Sequence, residues 1–173
     1  MQPWHRGGTT SNLGLAWGWR VLSPNWRGLW SPTTPADMPL DYNTPLMDKV
    51  VVLMTDGNNE YYDWPGHQPN SGVGPGGSDY NSYGRRNDFG FSTNAAAVAE
   101  LNSRMSAACA AMKAQGIIIY TMIFGGAPNA ATQTLFQNCA SNPAQYFYAP
   151  NQTAMADAFR SIGTALSNLR IAE

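Results

Sequence analysis

Three apolar runs along the chain are typical of β-strands. Residues 50–54 read Val-Val-Val-Leu-Met and end at Asp56-Gly57, residues 117–124 form a second run, and residues 145–148 form a shorter third one. The first two runs are apolar at successive positions, which is characteristic of strands that are covered on both faces of a parallel sheet. We therefore predict that 50–54 and 117–124 are inner strands of a parallel sheet.

Four other segments repeat apolar residues at helical spacing. They are 12–22, 93–115, about 131–139 and about 152–169. Thr93 can cap the second helix, and Gly116 suits the position after its end. The predicted apolar stripes are Leu13, Trp17 and Val21; Val98, Leu101, Met105, Ala108 and Met112; and Met155, Phe159, Ile162, Leu166 and Leu169. Strands alternating with helices predict an α/β fold, a doubly wound sheet with helices on both faces.

The segments between these elements have a different composition. Residues 25–44 contain Pro32, Pro35 and Pro39 without periodicity, so we expect irregular structure. Residues 58–91 are rich in Gly, Asn, Tyr and Ser, and we interpret them as a long loop insertion. The remaining pattern is that of a single domain over residues 1–173.

Charge and hydropathy narrow the classes of partner. Ten basic and eleven acidic side chains, with no run of Lys or Arg, do not favour nucleic acid or an anionic membrane. The longest apolar stretch has eight residues, against the roughly 20 that a membrane helix needs, so we expect no membrane segment within this chain. The first ten residues lack the apolar region of a secretory signal.

The two cysteines, Cys109 and Cys139, are thirty positions apart. An even count in an otherwise thiol-free chain is compatible with one disulfide, and two buried reduced thiols are the alternative.

Two polar features fall where a doubly wound sheet places its ligands, beyond the carboxyl ends of the strands. Asp56 directly follows the first apolar run, and Gly7-Gly-Thr-Thr10 precedes the first helix. A carboxylate and a hydroxyl turned toward one crevice offer the hard oxygens that Mg²⁺ or Ca²⁺ prefers. The alternative is that Asp56 and Gly57 only turn the chain after a strand.

No catalytic motif is recognisable. His5 and His67 lie in predicted loops without a Ser, Cys or acidic partner at a known spacing. No Gly-x-Ser-x-Gly sequence occurs, and the glycine-rich 74–77 lacks the Lys of a phosphate-binding loop. We therefore do not expect an enzyme.

The loop at 58–91 is rich in aromatic residues. Tyr61, Tyr62, Trp64, Tyr80 and Tyr83 lie among Asn and Gly, and Phe89 and Phe91 follow. Tyr and Trp provide contact area at low entropic cost, so these residues are candidates for partner binding. The alternative is that they attach a long loop to the domain.

Several of these segments together resemble the later half of a von Willebrand factor A (vWA) domain. They are Gly7-Gly-Thr-Thr10 before a helix, the strand ending in Thr55-Asp56-Gly57, the strand after Gly116 and the last helix. Residues 8–24, the cysteine pair, 138–141, 146–148 and 169–171 more narrowly resemble the C-terminal region of TadG-like proteins of the bacterial Tad (Flp) pilus assembly system. The similarity covers nearly the whole chain except residues 61–91.

The resemblance implies a metal-ion-dependent adhesion site that is incomplete here. It assigns Thr9, with Thr10 as its neighbour, and Asp56 as ligands of Mg²⁺ or another divalent cation. The family's Asp-x-Ser-x-Ser motif does not occur in these residues. On this interpretation residues 1–173 are the C-terminal portion of a vWA-like domain, its N-terminal strands precede Met1, binding is weak, and the strand at 50–54 has an unpaired apolar edge.

The resemblance also implies a function and a location. It indicates a non-enzymatic protein-binding or adhesion module of a cell-envelope protein, acting in pilus assembly or adherence. Its partner would be a protein of the envelope or of a target surface. The domain would be extracytoplasmic, anchored by a segment outside this chain, with Cys109 and Cys139 joined. The alternative is a structural envelope scaffold with a degenerate, metal-free site.

Overall fold

The structure is a computed structural model that describes residues 8–30, 32–61, 78 and 80–169. It contains three strands and four α-helices over this part of the chain. In chain order these are α1 (Ser11–Leu22), β1 (Val50–Thr55), α2 (Asn94–Ala114), β2 (Ile118–Phe124), α3 (Ala130–Cys139), β3 (Tyr146–Ala149) and α4 (Gln152–Leu169). Two 3₁₀ turns, Pro24–Trp26 and Pro143–Gln145, complete the regular structure.

The three strands form one parallel sheet in the order β1-β2-β3. The predicted α/β fold and the parallel sheet are thus confirmed. Among the described residues 50–54 is not an inner strand, as its apolar pattern predicts, but has the unpaired edge that the resemblance implies. Within the described residues β1 pairs only with β2, so it is an edge strand. Its side chains Val52 and Met54 are accordingly 38% and 50% exposed.

Helices α1, α2 and α3 cover one face of the sheet. Their shared core is centred on Met105 and Met112 of α2, Phe136 of α3 and Ile119 and Ile123 of β2, all fully buried. From α1, Leu15 enters this core, whereas Trp17 and Val21 are exposed. The helix therefore lies where the sequence predicts it. The prediction that Leu13, Trp17 and Val21 form its buried face is wrong.

Helix α4 covers the other face. Ala158 and Ile162 pack on Tyr120, Met122 and Ala149, and Met155 and Leu166 flank them. Phe159 was expected in this stripe but is 45% exposed. Helices on both faces are confirmed, although α4 packs mainly on β3 and β2 and leaves the β1 side of this face open.

The ends of α2 match their sequence signals. The Thr93 hydroxyl accepts a hydrogen bond from the Ala96 amide at 3.2 Å, which satisfies one of the free N–H groups of the first turn. Gly116 has φ +75°, a conformation that a side chain strains. A Cβ there would also lie 2.8 Å from the Asn43 side-chain oxygen, so the Asn43 side chain would have to move.

The irregular segment after α1 is held by aromatic contacts. Trp26 stacks on Trp30 with ring centres 5.5 Å apart, and Trp17 meets both rings edge-on. The Arg20 guanidinium lies 4.9 Å from the centre of the Trp17 ring, and such cation–π contacts contribute about 0.5–1 kcal/mol at exposed sites. These contacts attach the segment to α1 without regular secondary structure.

Lys49 fixes the start of β1. Its ammonium donates to the Leu22 carbonyl at 2.7 Å and lies over the Tyr42 ring. Burial lowers the pKa of Lys49, nearby Arg27 lowers it further, and Asp41 opposes the shift. The buried ammonium therefore ties the end of α1 to the strand that follows.

None of the helices in the described ranges is long and apolar enough to cross a membrane.

Cys109 of α2 and Cys139 of α3 form a disulfide, as the sequence predicts. Both residues are buried in the core beneath the sheet. The bond closes a stretch of 30 residues that contains β2, so it holds α2 and α3 together on one face of that strand.

Removing this bond should destabilise the domain. Replacing both cysteines by alanine should lower the free energy of unfolding by about 3.5 kcal/mol, because a loop of this length is no longer closed in the unfolded chain. Urea unfolding followed by circular dichroism measures the change. Wild-type protein in reductant should show a comparable loss, and equal midpoints for the oxidised wild type and the double variant would contradict the prediction.

Candidate functional site

The segment before α1 is paired with the segment after β1. The Thr9 amide donates to the Glu60 carbonyl at 3.1 Å, and the Glu60 amide donates back to the Thr9 carbonyl at 2.9 Å. This short backbone ladder holds residues 8–10 at the carboxyl end of β1, close to Asp56.

Asn59 completes the attachment. Thr10 is the N-cap of α1 but makes no capping hydrogen bond, because its hydroxyl is within 2.8 Å of the Ser82 hydroxyl instead. The amide of Ser11, one of the free N–H groups at the start of the helix, donates to the Asn59 side-chain oxygen at 2.8 Å. The Asn59 side-chain nitrogen donates to Asn102 of α2, also at 2.8 Å. One buried amide thus links β1, α1 and α2.

This arrangement borders an open cavity of about 400 Å³ at the carboxyl end of β1. Thr9, Thr10 and Asp56, the three residues predicted as ligands, all line it. The remaining lining residues are Ser11, Gly14, Leu53, Met54, Thr55 and Phe124. The cavity therefore combines a hydroxyl and carboxylate rim with apolar walls.

Ser11 is a site residue that the sequence analysis missed. It is only 8% exposed, and its hydroxyl has no hydrogen-bond partner within the structure. Buried hydroxyls are nearly always paired, so this one has hydrogen-bonding capacity to spare at the cavity. Its position directly after the two predicted threonines was the available signal. Asn59 was also missed, because a single asparagine after a turn has no recognisable pattern.

The donors at this cavity are of the kind that a hard cation prefers, but they are few. Asp56 is the only carboxylate among the lining residues. In the part of the chain that the structure describes, no three His, Cys, Asp or Glu side chains come together as a metal site. The Thr10 hydroxyl is also engaged with Ser82. Water molecules would therefore supply most of the ligands of a divalent ion at this cavity, and the ion would bind weakly.

The aromatic residues of the loop are divided between the core and the surface. Tyr61 is 1% exposed and packs with Phe89, Ala97 and Leu101. Burial raises the pKa of its phenol, which is consistent with a neutral core side chain. In this position Tyr61 attaches the loop to α2 and has no surface to offer a partner.

Tyr83 and Tyr80 remain at the surface to different degrees. The half-buried Tyr83 accepts a hydrogen bond from the Asn12 side chain at 2.8 Å and packs on Phe89. The exposed Tyr80 contacts the Arg85 guanidinium, 4.9 Å from its ring centre. Their partner-binding role stays a prediction, and Tyr62 and Trp64 lie outside the described residues.

Comparison with known proteins adds no family. No protein-family model, no curated protein and no solved structure matches the chain.

The role of Asn59 in shaping the cavity can be tested. Asn59→Ala leaves the Ser11 amide and the Asn102 side chain without partners, and we expect a loss of about 2 kcal/mol of stability. Chemical denaturation measures it. Asn58→Ala, at the exposed neighbouring position, is the matched control and should change stability by less than about 0.5 kcal/mol. Equal effects of the two variants would show that Asn59 does not hold the site together.

Proposed function

We propose that the chain is the later part of a vWA-like domain of a TadG-like envelope protein and acts as a non-enzymatic protein-binding module. The observation that carries the proposal is that Thr9, Thr10 and Asp56 line one cavity at the carboxyl end of β1. Asp56 is 47 positions after Thr9 and 46 after Thr10 in the sequence. These three residues are the ones that the resemblance assigns to an adhesion site.

The surroundings of the cavity suit protein binding. In parallel α/β sheets ligands bind beyond the carboxyl ends of the strands, where Asp56 is exposed. The apolar walls formed by Leu53, Met54 and Phe124 can contact a partner side chain while the rim makes polar contacts. The disulfide supports the proposed extracytoplasmic location, since such bonds persist in oxidising compartments.

In the proposed mechanism each rim residue has a distinct part. Asp56 supplies the negative charge, and the Thr9 and Thr10 hydroxyls supply neutral oxygens. A bound divalent ion such as Mg²⁺ would supply an open coordination position for a carboxylate of the partner. The exposed Tyr80 offers further contact area.

The second candidate is a structural envelope scaffold whose degenerate site holds no metal. The single carboxylate at the cavity and the hydrogen bond between Thr10 and Ser82 favour it. In that case partner contacts depend on side chains such as Tyr80 alone, and chelators have no effect on them.

Metal titration separates the two candidates. A ligand that binds only the folded state raises its stability, by about 1.4 kcal/mol at about ten times Kd. We expect Mg²⁺ or Mn²⁺ at millimolar concentration to raise the melting temperature of the wild type by about 4 °C. Asp56→Ala should remove this shift, because the only carboxylate at the cavity is lost.

The matched control is Asp37→Ala, which removes an exposed carboxylate from the irregular segment. It should keep the full metal-dependent shift. If the melting temperature of the wild type is the same in Mg²⁺ and in chelator, the metal site is refuted. The structural scaffold then remains as the candidate function.

A further inference from the structure

A second open cavity lies between α1 and α2, toward the C-terminal end of α1. Its volume is about 350 Å³, within the range of roughly 300–1,000 Å³ that is usual for small-molecule sites. Its lining residues are Ala16, Trp19, Arg20, Ser23, Trp26 and Ala108. None of them lines the cavity at Asp56, so the two cavities are separate sites.

The lining residues of α1 share one face of the helix. They have the i, i+3, i+4 and i+7 spacing that brings side chains together on a helix surface, and they are Ala16, Trp19, Arg20 and Ser23. Ala108 of α2 lines the cavity from the other side. Because the side chains of Ala16 and Ala108 are small, the groove between the two helices stays open at this point.

Two indole rings at the cavity are held in place by contacts within the protein. The Trp19 ring nitrogen donates to the Tyr42 hydroxyl at 2.9 Å, and the Trp26 ring stacks on Trp30 with ring centres 5.5 Å apart. A ligand therefore meets side chains that are already ordered, which lowers the entropic cost of binding. Aromatic faces carry partial negative charge, so they suit the weakly positive C–H groups on the face of a saccharide ring.

Arg20 brings a positive charge that has no counterion. Its guanidinium carbon lies 4.9 Å from the centre of the Trp17 ring and 5.2 Å from that of Trp26. No carboxylate of a described residue forms an ion pair with it. A planar guanidinium beside aromatic rings is well suited to bind a carboxylate through two parallel hydrogen bonds. The cavity thus has charge complementarity for an acid.

Ser23 adds a second hydrogen-bond donor. It is only 7% exposed, and its hydroxyl oxygen accepts a hydrogen bond from the Asn25 amide at 3.3 Å. The hydroxyl proton has no acceptor among the described residues, so it can be donated to a ligand. The polar groups at the cavity, Arg20 and Ser23, are therefore both donors, and they require a ligand that is rich in oxygen acceptors.

We propose that this cavity binds an acidic saccharide. A uronic acid carboxylate pairs with Arg20, a hydroxyl or ring oxygen accepts from Ser23, and the C–H face of the sugar packs against the indoles. An acidic peptide could satisfy Arg20, but its flexible chain presents no rigid C–H face to Trp19 and Trp26. The cavity is open to solvent, which suits a ligand that keeps part of its hydration. This glycan contact needs no metal ion and is independent of the cavity at Asp56.

Tryptophan fluorescence can detect binding at this cavity. Four of the six tryptophans of the chain lie at or beside it, and they are Trp17, Trp19, Trp26 and Trp30. We expect trigalacturonate to change the emission with a Kd of about 1 mM. The titration is done in chelator, so that no cation at Asp56 can bridge to the acid and failure of the metal site does not affect the result.

Two matched ligands test which chemistry is recognised. The fully methyl-esterified trisaccharide has the same rings without the charge, and acetylated, amidated triglutamate has the same charge without the rings. Each should bind about tenfold or more weakly than trigalacturonate. Equal binding of the ester would overturn the role of the carboxylate, and equal binding of triglutamate would overturn the saccharide. No emission change with trigalacturonate at millimolar concentration would overturn the site itself.

Variants test the assigned residues. Arg20→Gln should raise the Kd for trigalacturonate by about tenfold or more, because it removes the cation. Arg160→Gln, the same change on α4 at the other face of the sheet, is the control and should leave the Kd unchanged. Ala108→Phe should abolish binding, since it fills the groove without a change of charge. An Arg20→Gln variant that binds as tightly as the wild type would overturn the proposal, even if Ala108→Phe does not fold.

Discussion

The parallel pairing of β1 with β2 is the interaction on which the rest of the structure depends. It aligns six residues of β1 with six of β2 and sets the two strand ends at one edge of the sheet. Helices α1, α2 and α3 pack on one face of this pair, and the disulfide fixes two of them to each other. Asp56 lies at the candidate site because β1 ends there.

A second set of contacts forms the cavity at the end of β1. The ladder between Thr9 and Glu60 brings the segment before α1 back to the end of β1, and Asn59 satisfies the first amide of the helix. The Thr10 hydroxyl bonds the Ser82 hydroxyl and does not cap the helix. The same buried amide thus satisfies the first N–H group of α1 and links the segment after β1 to α2.

The elements could be predicted from the sequence because local signals decide them. Continuous apolar runs, the Thr93 cap and Gly116 define β1, β2 and α2 within a residue or two. Which side chains are buried depended on packing partners that periodicity does not reveal. The pattern of Val52 and Met54 predicts an inner strand, but they lie at an edge that no described strand covers. Phe159 and Trp17 are exposed on helices whose other faces are buried.

The candidate site was predictable only in part for the same reason. Asp56, Thr9 and Thr10 lie at element boundaries, where sequence signals are strong, but Ser11 and Asn59 matter through contacts between distant segments. We propose that a divalent cation, and with it a partner, binds at the cavity at the end of β1. The most direct measurement is a Mn²⁺ titration followed by ¹⁵N-correlated NMR, in which the paramagnetic ion broadens nearby amides. We expect the amides of Thr10, Ser11 and Gly57 to broaden first, and uniform broadening or broadening elsewhere in the domain would contradict a metal site at this cavity.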